Sequence, residues 1–425
     1  MSQQDDLAIW WAYRQDQLSQ SWNLGLDRVA AVAKTGSIAP EVPVITVAGT
    51  NGKGSVCAFM EAMAVQAGIR VGVYSSPHLL RFNERIRLNG MPITDRSLAR
   101  AFAQVADLDG VKTLSVYEFD TLAAMAAFNV QPLDLVILEV GLGGRLDAVN
   151  IWDPDVAVIT VIDLDHQQWL GDNREAIGAE KAGIIRPRKP LVLGDRDAPS
   201  SILQRAQALG APTQTIGVDF DGIEGDQGWL WKGPVNEKIA LPALPLRGRF
   251  QLDNASVAIA AMRQLFNEER LSPRHVGKGL ALARLPGRAQ RLNAEVPIWL
   301  DVGHNPQAAG QLLNIMATEP VAGRTLAVFA ALVDKQIESI VAIMREAVDF
   351  WFLPALDDPR ACALPELYER VVAGGVLAPK VLTCDNVALA IEMARAEARA
   401  GDQIVVFGSF LTVADAMRVL LDSGQ

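Results

Sequence analysis

Apolar residues recur along the chain in short buried-type runs, separated by longer stretches with helical spacing. The first run, Val42-Pro-Val-Ile-Thr-Val-Ala48, is rich in β-branched residues and predicts a strand, with Pro43 at its start. Val56 to Gly68 has helix spacing and stops at glycine. The alternation continues with a strand from Arg70 to His78, a helix from Tyr117 to Phe128 and a strand from Leu133 to Gly141. A fourth strand is expected at Asp155–Asp163, a helix at Ala176–Ile184 and a fifth strand at Pro190–Gly194. Strands that are apolar on both faces and alternate with helices predict a parallel sheet covered on both sides.

Residues 213–246 lose this rhythm and read as a small β excursion followed by an extended segment. Helices resume at Asp253–Met262 and Pro273–Leu282. Pro and Gly then crowd together in Leu285-Pro-Gly-Arg, and a second βα series begins at Ile298. Its five strands are expected at Ile298–Val302, Thr325–Ala330, Trp351–Pro354, Val381–Thr383 and Ile404–Phe407. The fold class is therefore α/β, with a P-loop ATPase-type parallel sheet domain followed by a Rossmann-like domain. The expected boundaries are 1–286, a linker at 287–296, and 297–425. The second domain lacks Gly-x-Gly-x-x-Gly, so it gains no dinucleotide assignment.

Between the first strand and its helix lies Gly49-Thr-Asn-Gly-Lys-Gly-Ser55. Glycines let backbone N–H groups turn toward an anion, the helix N-terminus adds positive potential, and Lys53 adds a full charge. The stretch departs from the standard phosphate loop, because Val47 holds the first glycine's place and Gly54 separates Lys53 from Ser55. The other strand ends carry polar groups too: Ser75, Ser76 and His78, then Asp165 and His166, then Asp301 and His304, then Ser409. In an open α/β sheet this edge is the ligand crevice. Glu139 lies inside an apolar strand, where a carboxylate needs a partner, and Mg²⁺ or its water shell fits that need. The glycine-rich turn Gly141–Asn150 reads as a substrate loop. Lys181 has small apolar neighbours, which leaves a solvated lysine and a site lysine both open. Trp10, Trp11 and Trp22 read either as packing or as walls for a flat ring.

Composition narrows the classes. The chain has 425 residues, half of them hydrophobic, and a net charge of −10. An acidic chain without a basic stripe argues against a nucleic-acid partner. No window is apolar enough for a membrane span, and the N-terminus has no signal-peptide pattern. Three scattered cysteines fit reduced thiols in the cytoplasm.

These residues together resemble the folylpolyglutamate synthases of the Mur ligase superfamily, and within them the bifunctional bacterial type. Thr46-Val-Ala-Gly-Thr-Asn-Gly-Lys-Gly-Ser, Tyr74-Ser-Ser-Pro-His, Leu138-Glu-Val-Gly-Leu-Gly-Gly-Arg-Leu-Asp-Ala, Leu164-Asp-His, Glu180-Lys-Ala-Gly-Ile, Leu285-Pro-Gly-Arg and Asp301-Val-Gly-His-Asn-Pro carry the resemblance, in family order. It implies an ATP- and Mg²⁺-dependent amide ligase that adds L-glutamate to dihydropteroate and to reduced folates through an acyl phosphate. It also implies two Mg²⁺ ions and a carbamate on Lys181.

Carried over by position, Gly49, Thr50, Asn51, Gly52, Lys53, Gly54 and Ser55 resemble the triphosphate loop, with Ser55 near Mg²⁺. Ser76 and Glu139 match ligands of one ion, and Glu139 with His166 those of a second. Asn254, Arg288 and Asp301 match ATP contacts. His304 and Ser409 match residues near the glutamate. The pteridine side falls on Trp22, Leu24, Gly25, Leu26, Ser115, Val116, Tyr117, Arg145 and Asp147. Two departures stand out: Val149 replaces a threonine common in the family, and Gly303 replaces an alanine. Three rivals remain. A cell-wall Mur ligase would carry a UDP-binding domain ahead of the loop, where only 48 residues stand. A nucleotide switch has no need of Asp301 and His304. A synthase with one of the two activities shares the pteroate-binding part. A monomer is expected.

Overall fold

The computed structural model describes residues 7–19 and 25–422. The chain divides into two units: residues up to Pro245 with Phe250–Ala283, and Leu246–Arg249 with Arg284 onward. Both are α/β with largely parallel sheets, as the alternating pattern predicts.

The first unit is built on an eight-stranded sheet. Its strands are β1 (Val44–Ala48), β2 (Val71–Tyr74), β3 (Ile86–Leu88), β4 (Met91–Pro92), β5 (Leu135–Glu139), β6 (Val156–Ile159), β7 (Leu191–Leu193) and β8 (Thr213–Thr215). The order across the sheet is β4-β3-β2-β5-β1-β6-β7-β8. The strands β2 through β8 in that order run parallel, and β3 and β4 add an antiparallel edge. β1 is central and buried along its whole length. The chain leaves β1 toward β2 on one side and later returns across it from β5 to β6 on the other. That reversal opens a crevice beyond the carboxyl end of β1.

Helices Lys53–Gln66, Val116–Asn129 and Phe250–Arg263 cover the sheet, each with most of its residues buried. Pro273–Leu282 packs closely on Lys53–Gln66 because Gly279 has no side chain; a Cβ there would come within 2.5 Å of the Met63 Cα. The β excursion is a three-stranded antiparallel sheet of β9 (Asp221–Gly225), β10 (Gly228–Lys232) and β11 (Lys238–Leu241), which buries Trp229 and Trp231.

The second unit has the sheet order β12-β13-β17-β14-β15-β16. Its strands are β12 (Gln290–Leu292), β13 (Ile298–Asp301), β14 (Thr325–Phe329), β15 (Phe350–Pro354), β16 (Val381–Cys384) and β17 (Gln403–Phe407). All are parallel except the edge strand β12. Phe329 packs on Phe407 at 4.9 Å between ring centroids and edge-on to Trp351 at 5.6 Å. The buried Trp299 Nε1 donates to Gln403 Oε1 at 2.9 Å, so the indole leaves no orphan donor.

The structure differs from the sequence expectation in several places. Gln290–Leu292, inside the expected linker, is sheet, and Leu246–Arg249 sits with the second unit. β8 extends the first sheet into the stretch read as losing the rhythm. The hairpin β3–β4 and the helices Asp95–Ala106 and Ser200–Ala208 were not expected. The hairpin had a readable signal: its turn is Asn89-Gly90, both at positive φ, the preferred chemistry for a two-residue hairpin.

Candidate functional site

The phosphate-type loop is fixed by contacts that leave no room for side chains. Gly49 has φ 150°, and a Cβ there would lie 1.7 Å from Thr160 Oγ1. Gly52 has φ 90°, and its Cβ would lie 2.5 Å from Asn254 Oδ1. Thr160 Oγ1 donates to the Asn51 carbonyl at 2.7 Å. Thr50 Oγ1 donates to the Asp163 carbonyl and accepts the Asp163 N–H, both at 3.0 Å. The loop is thereby tied to the end of β6. Asn254, at the start of Phe250–Arg263, is held by Gln251 and rests against the loop. The helix that follows the loop begins at Lys53 and buries Ser55 and Cys57.

Two lysines converge on one carbonyl. Lys53 Nζ and Lys181 Nζ each lie 2.9 Å from the Gly49 oxygen, and Lys53 Nζ also donates to Thr50 O at 3.2 Å. Lys181, at the end of helix Arg174–Lys181, is 4% exposed. Burial first, then the charge of Lys53, pulls its pKa down to about 7, against the opposing pull of Asp165 and Asp147. A substantial fraction of this amine is neutral at physiological pH. Lys181 is thus a buried residue that contacts the loop, not a solvated one.

Across β1, the buried Glu139 ends β5 in register with Val47. Its Oε2 accepts the Ser76 N–H at 3.3 Å, which draws the Ser75–Ser76 turn to it. Asp165 and His166 follow β6; His166 has φ 50° and its N–H is held by Asp165 at 2.8 Å. Among the described residues no group of three or more His, Cys, Asp or Glu side chains is poised to hold a metal. The Glu139 carboxylate and the Ser55 and Ser76 hydroxyls are oxygen donors of the type Mg²⁺ takes, and the His166 imidazole is not.

On the expected pteridine side, Trp22 and Leu24 lie outside the described residues. Gly25 and Leu26 precede helix Asp27–Thr35. Ser115 caps Val116–Asn129, with its oxygen 3.3 Å from the Glu118 N–H, and Glu118 pairs with Arg28 at 2.9 Å. Val116 packs against the core. Tyr117 lies against Tyr74 at 6.3 Å, and its hydroxyl reaches Asp147 at 3.4 Å. Asp147 accepts the Leu142 and Val149 N–H groups at 2.8 and 3.1 Å, yet burial raises its pKa to about 6. Arg145 is half-exposed and pairs with Glu180, the neighbour of Lys181. Tyr117 and Asp147 therefore meet, while Ser115 serves the helix.

In the second unit, the carboxyl ends of β13 and β17 gather the expected residues. Asp301 accepts the Ala289 N–H on one oxygen and the Gly303 N–H on the other, both at 2.7 Å. Burial raises its pKa, opposed by Arg288. Arg288 stacks on Phe410 at 5.4 Å, and His304 lies 6.1 Å from the same ring. His304 Nδ1 contacts the Val302 carbonyl at 3.0 Å. Ser409 is buried; its oxygen accepts the Thr412 N–H at 3.0 Å, a helix-cap geometry.

Comparison with known proteins bears on the whole chain. Residues 47–262 match the Mur ligase middle domain, and residues 287–410 match the Mur ligase glutamate ligase domain. The dihydrofolate synthase/folylpolyglutamate synthase of Escherichia coli K12 is 42% identical over 417 residues, covering 97% of this chain and 95% of that protein. The chain belongs to the dihydrofolate synthase/folylpolyglutamate synthase family of Mur ligases. The fold agrees. A structure of Escherichia coli FolC in complex with DHPP and ADP superposes with a TM-score of 0.91 at 40% identity, covering 100% of both chains. A bifunctional folylpolyglutamate synthase/dihydrofolate synthase with Mn, AMPPNP and L-glutamate bound gives 0.87 at 39% identity, covering 98% of each.

Several polar residues escaped the sequence reading. Thr160 looked like one more β-branched strand residue. Asp195 accepts the Ile162 N–H at 2.9 Å, and Arg174 binds both Asp195 and the Ile162 carbonyl, so this pair braces the segment leading to His166. A polar residue directly after Gly194 was the available signal. Lys335 is buried beyond β14 beside Asp334.

Two outcomes follow from this geometry. Gly49→Ala should cost about 2–4 kcal/mol, since it adds strain at positive φ and a clash with Thr160; urea unfolding checks this, and an unchanged midpoint refutes the packing. The folded state holds Lys181 with a pKa of about 7, against 10.5 for the free side chain. Below pH 7 the unfolded chain gains fully from its ammonium, and that disadvantage of the folded state fades as pH rises toward 10.5. In CO₂-free buffer, the stability of the protein relative to Lys181→Met should therefore rise between pH 7 and 9, by roughly 2–3 kcal/mol. A flat difference would show Lys181 to be solvated.

Proposed function

We propose that this protein is an ATP- and Mg²⁺-dependent ligase that adds L-glutamate to dihydropteroate, giving dihydrofolate, and to reduced folates, giving folylpolyglutamates. The observation that carries this reading is the pair of lysines on the Gly49 carbonyl, set at a glycine loop and helix N-terminus inside a chain that matches the bifunctional synthases from end to end. The relatives' bound ADP, AMPPNP, Mn, DHPP and L-glutamate support the same substrates and metal here.

The chemistry follows from charge. A carboxylate is a poor electrophile, so the acceptor's carboxylate oxygen attacks the γ-phosphorus of ATP, ADP leaves, and an acyl phosphate forms. The amine of glutamate then attacks the carbonyl carbon, phosphate leaves, and the nitrogen loses a proton. The first step brings anions together and needs preorganised cations. Lys53, the loop N–H groups and the helix N-terminus supply them at the phosphates. Ser55, Ser76, Glu139 and His166 would hold Mg²⁺, which when bound neutralises phosphate charge. Asn254 fits a role in holding the nucleotide against the loop, and Arg288 and Asp301 are proposed as further ATP contacts. His304 and Ser409 fall to the glutamate side. Gly25, Leu26, Val116, Tyr117, Arg145 and Asp147 would hold the pteridine portion; a carboxyl with a pKa near 6 can donate or accept toward ring nitrogens.

Lys181 would carry a carbamate. CO₂ adds only to a neutral amine, and burial beside Lys53 keeps a large share of Lys181 in that form at pH 7. The product is an anion facing Lys53. No helix among the described residues is long and apolar enough to cross a membrane, and we expect a cytoplasmic monomer.

Phosphate release from ATP with Mg²⁺ and L-glutamate, with product mass read alongside, tests the reading. Release with dihydropteroate and with a reduced folate monoglutamate, each gaining one glutamate, is expected. Release with one acceptor alone would restrict the protein to one step, and release with a UDP-muramoyl peptide instead would overturn the folate assignment. Lys53→Ala should fold normally and lose about 100-fold or more in phosphate release, the scale of a lost transition-state cation. Retained turnover would remove Lys53 from the phosphates. A ¹³C carbamate signal from ¹³CO₂ should appear in the wild type and vanish in Lys181→Met.

A further inference from the structure

Glu61 lies two turns into the helix that starts at the glycine loop, on its buried side. It is 6% exposed, and a carboxylate at that depth needs a cation. Arg87, on β3, supplies it: Nε donates to Glu61 Oε2 at 2.7 Å. The other Glu61 oxygen accepts the N–H of Gly90 at 3.1 Å, in the turn of the β3–β4 hairpin. Arg87 Nη1 then reaches away from Glu61. It donates to Ser75 Oγ at 2.7 Å and to the Glu84 carbonyl at 3.0 Å. Ser75 is also held through its own N–H by the Arg85 carbonyl at 2.9 Å. The next residue, Ser76, is the one whose N–H meets Glu139.

A buried ion pair contributes little to stability compared with apolar residues of the same volume. Its value here lies in direction. One guanidinium joins three elements: the helix carrying Ser55, the hairpin, and the turn carrying Ser76. We propose that Glu61 and Arg87 are positioning residues that set the Ser75–Ser76 turn at a fixed distance from the glycine-loop helix, and so shape the divalent-cation site between Ser55, Ser76 and Glu139. This rests on the cation assignment made above for those three residues. Neither Glu61 nor Arg87 touches substrate; each acts through Ser75 and the helix.

The test is Mn²⁺ binding to the full-length protein in the presence of ADP, followed by the loss of the free Mn²⁺ electron paramagnetic resonance signal. ADP binding in EDTA and the thermal midpoint are measured beside it. Ser75→Ala and Arg87→Met should each weaken Mn²⁺ binding by about 10-fold or more, as for other residues that orient metal ligands. ADP affinity without metal should stay within about 2-fold, since the glycine loop and Lys53 are intact. Arg87→Lys keeps a charge for Glu61 but cannot form the fork, and should fall between wild type and Arg87→Met. Ser75→Ala removes one hydroxyl and decides the matter if Arg87→Met does not fold. Glu139→Gln separates the two claims. If it loses Mn²⁺ while Ser75→Ala and Arg87→Lys bind like wild type, the positioning role is wrong and the cation site stands. If Glu139→Gln binds Mn²⁺ unchanged, the cation assignment falls and the inference with it.

Discussion

Two ammonium groups share the carbonyl oxygen of Gly49. Lys181 is buried with the part-exposed Lys53 beside it, and the lower-cost response is for one of the two to lose its proton. Lys181 is that one, because it is the more deeply buried and has Lys53 beside it. The same imbalance makes the loop a receptor for anions. A triphosphate would meet Lys53, the loop N–H groups and the helix N-terminus at one point. The glycines are the geometric condition for all of this. With any Cβ at position 49 the loop could not lie against Thr160, and the carbonyl would leave both lysines.

The sheet order sets who the neighbours of that carbonyl are. β1 lies between β5 and β6, so its end is flanked by Glu139 on one side and by Asp165 and His166 on the other. Parallel strands bring all of these ends to one edge, and a one-residue slip in register would turn Glu139 to the opposite face. Braces run behind them. Arg174 with Asp195 holds the strand end before His166, and Arg87 with Glu61 holds the turn before Ser76. Each of these strand ends is therefore held by an arginine–carboxylate pair.

Much of this was legible in the sequence, because the chemistry demands unusual residues in unusual places. Glycines around a lysine after an apolar strand, and a glutamate inside one, are costly without a ligand, so they announce a site. Alternation gave both sheets. What was hidden depends on depth and partners, which periodicity does not encode. Lys181 read equally well as solvated until its burial was visible. Thr160 was masked by its β propensity, and Ser115 and Ser409 carry polar groups that the helix starts consume. The edge strands β3, β4 and β12 are two or three residues long, too short to establish a period. The first two were still announced by Asn89-Gly90.

Asp301 shows how one carboxylate holds two turns at once. Its two oxygens each take one backbone N–H, from Ala289 and from Gly303. The first bond fixes the turn that carries Arg288, in which Ala289 is held at φ 41°. The second fixes the turn that leads to His304, and it needs a bare residue at 303: a Cβ there would lie 2.5 Å from Asp301 Oδ1 and 2.8 Å from the Ala308 Cβ. Each carboxylate oxygen can accept a second hydrogen bond, so capacity remains for a ligand. A neutral side chain of the same size would lose one of the two backbone bonds, since an amide has only one acceptor oxygen, and would release either Arg288 or His304. The carboxylate is therefore required by the fold of this corner before any ligand arrives, and Gly303 leaves its Oδ1 unobstructed in this chain.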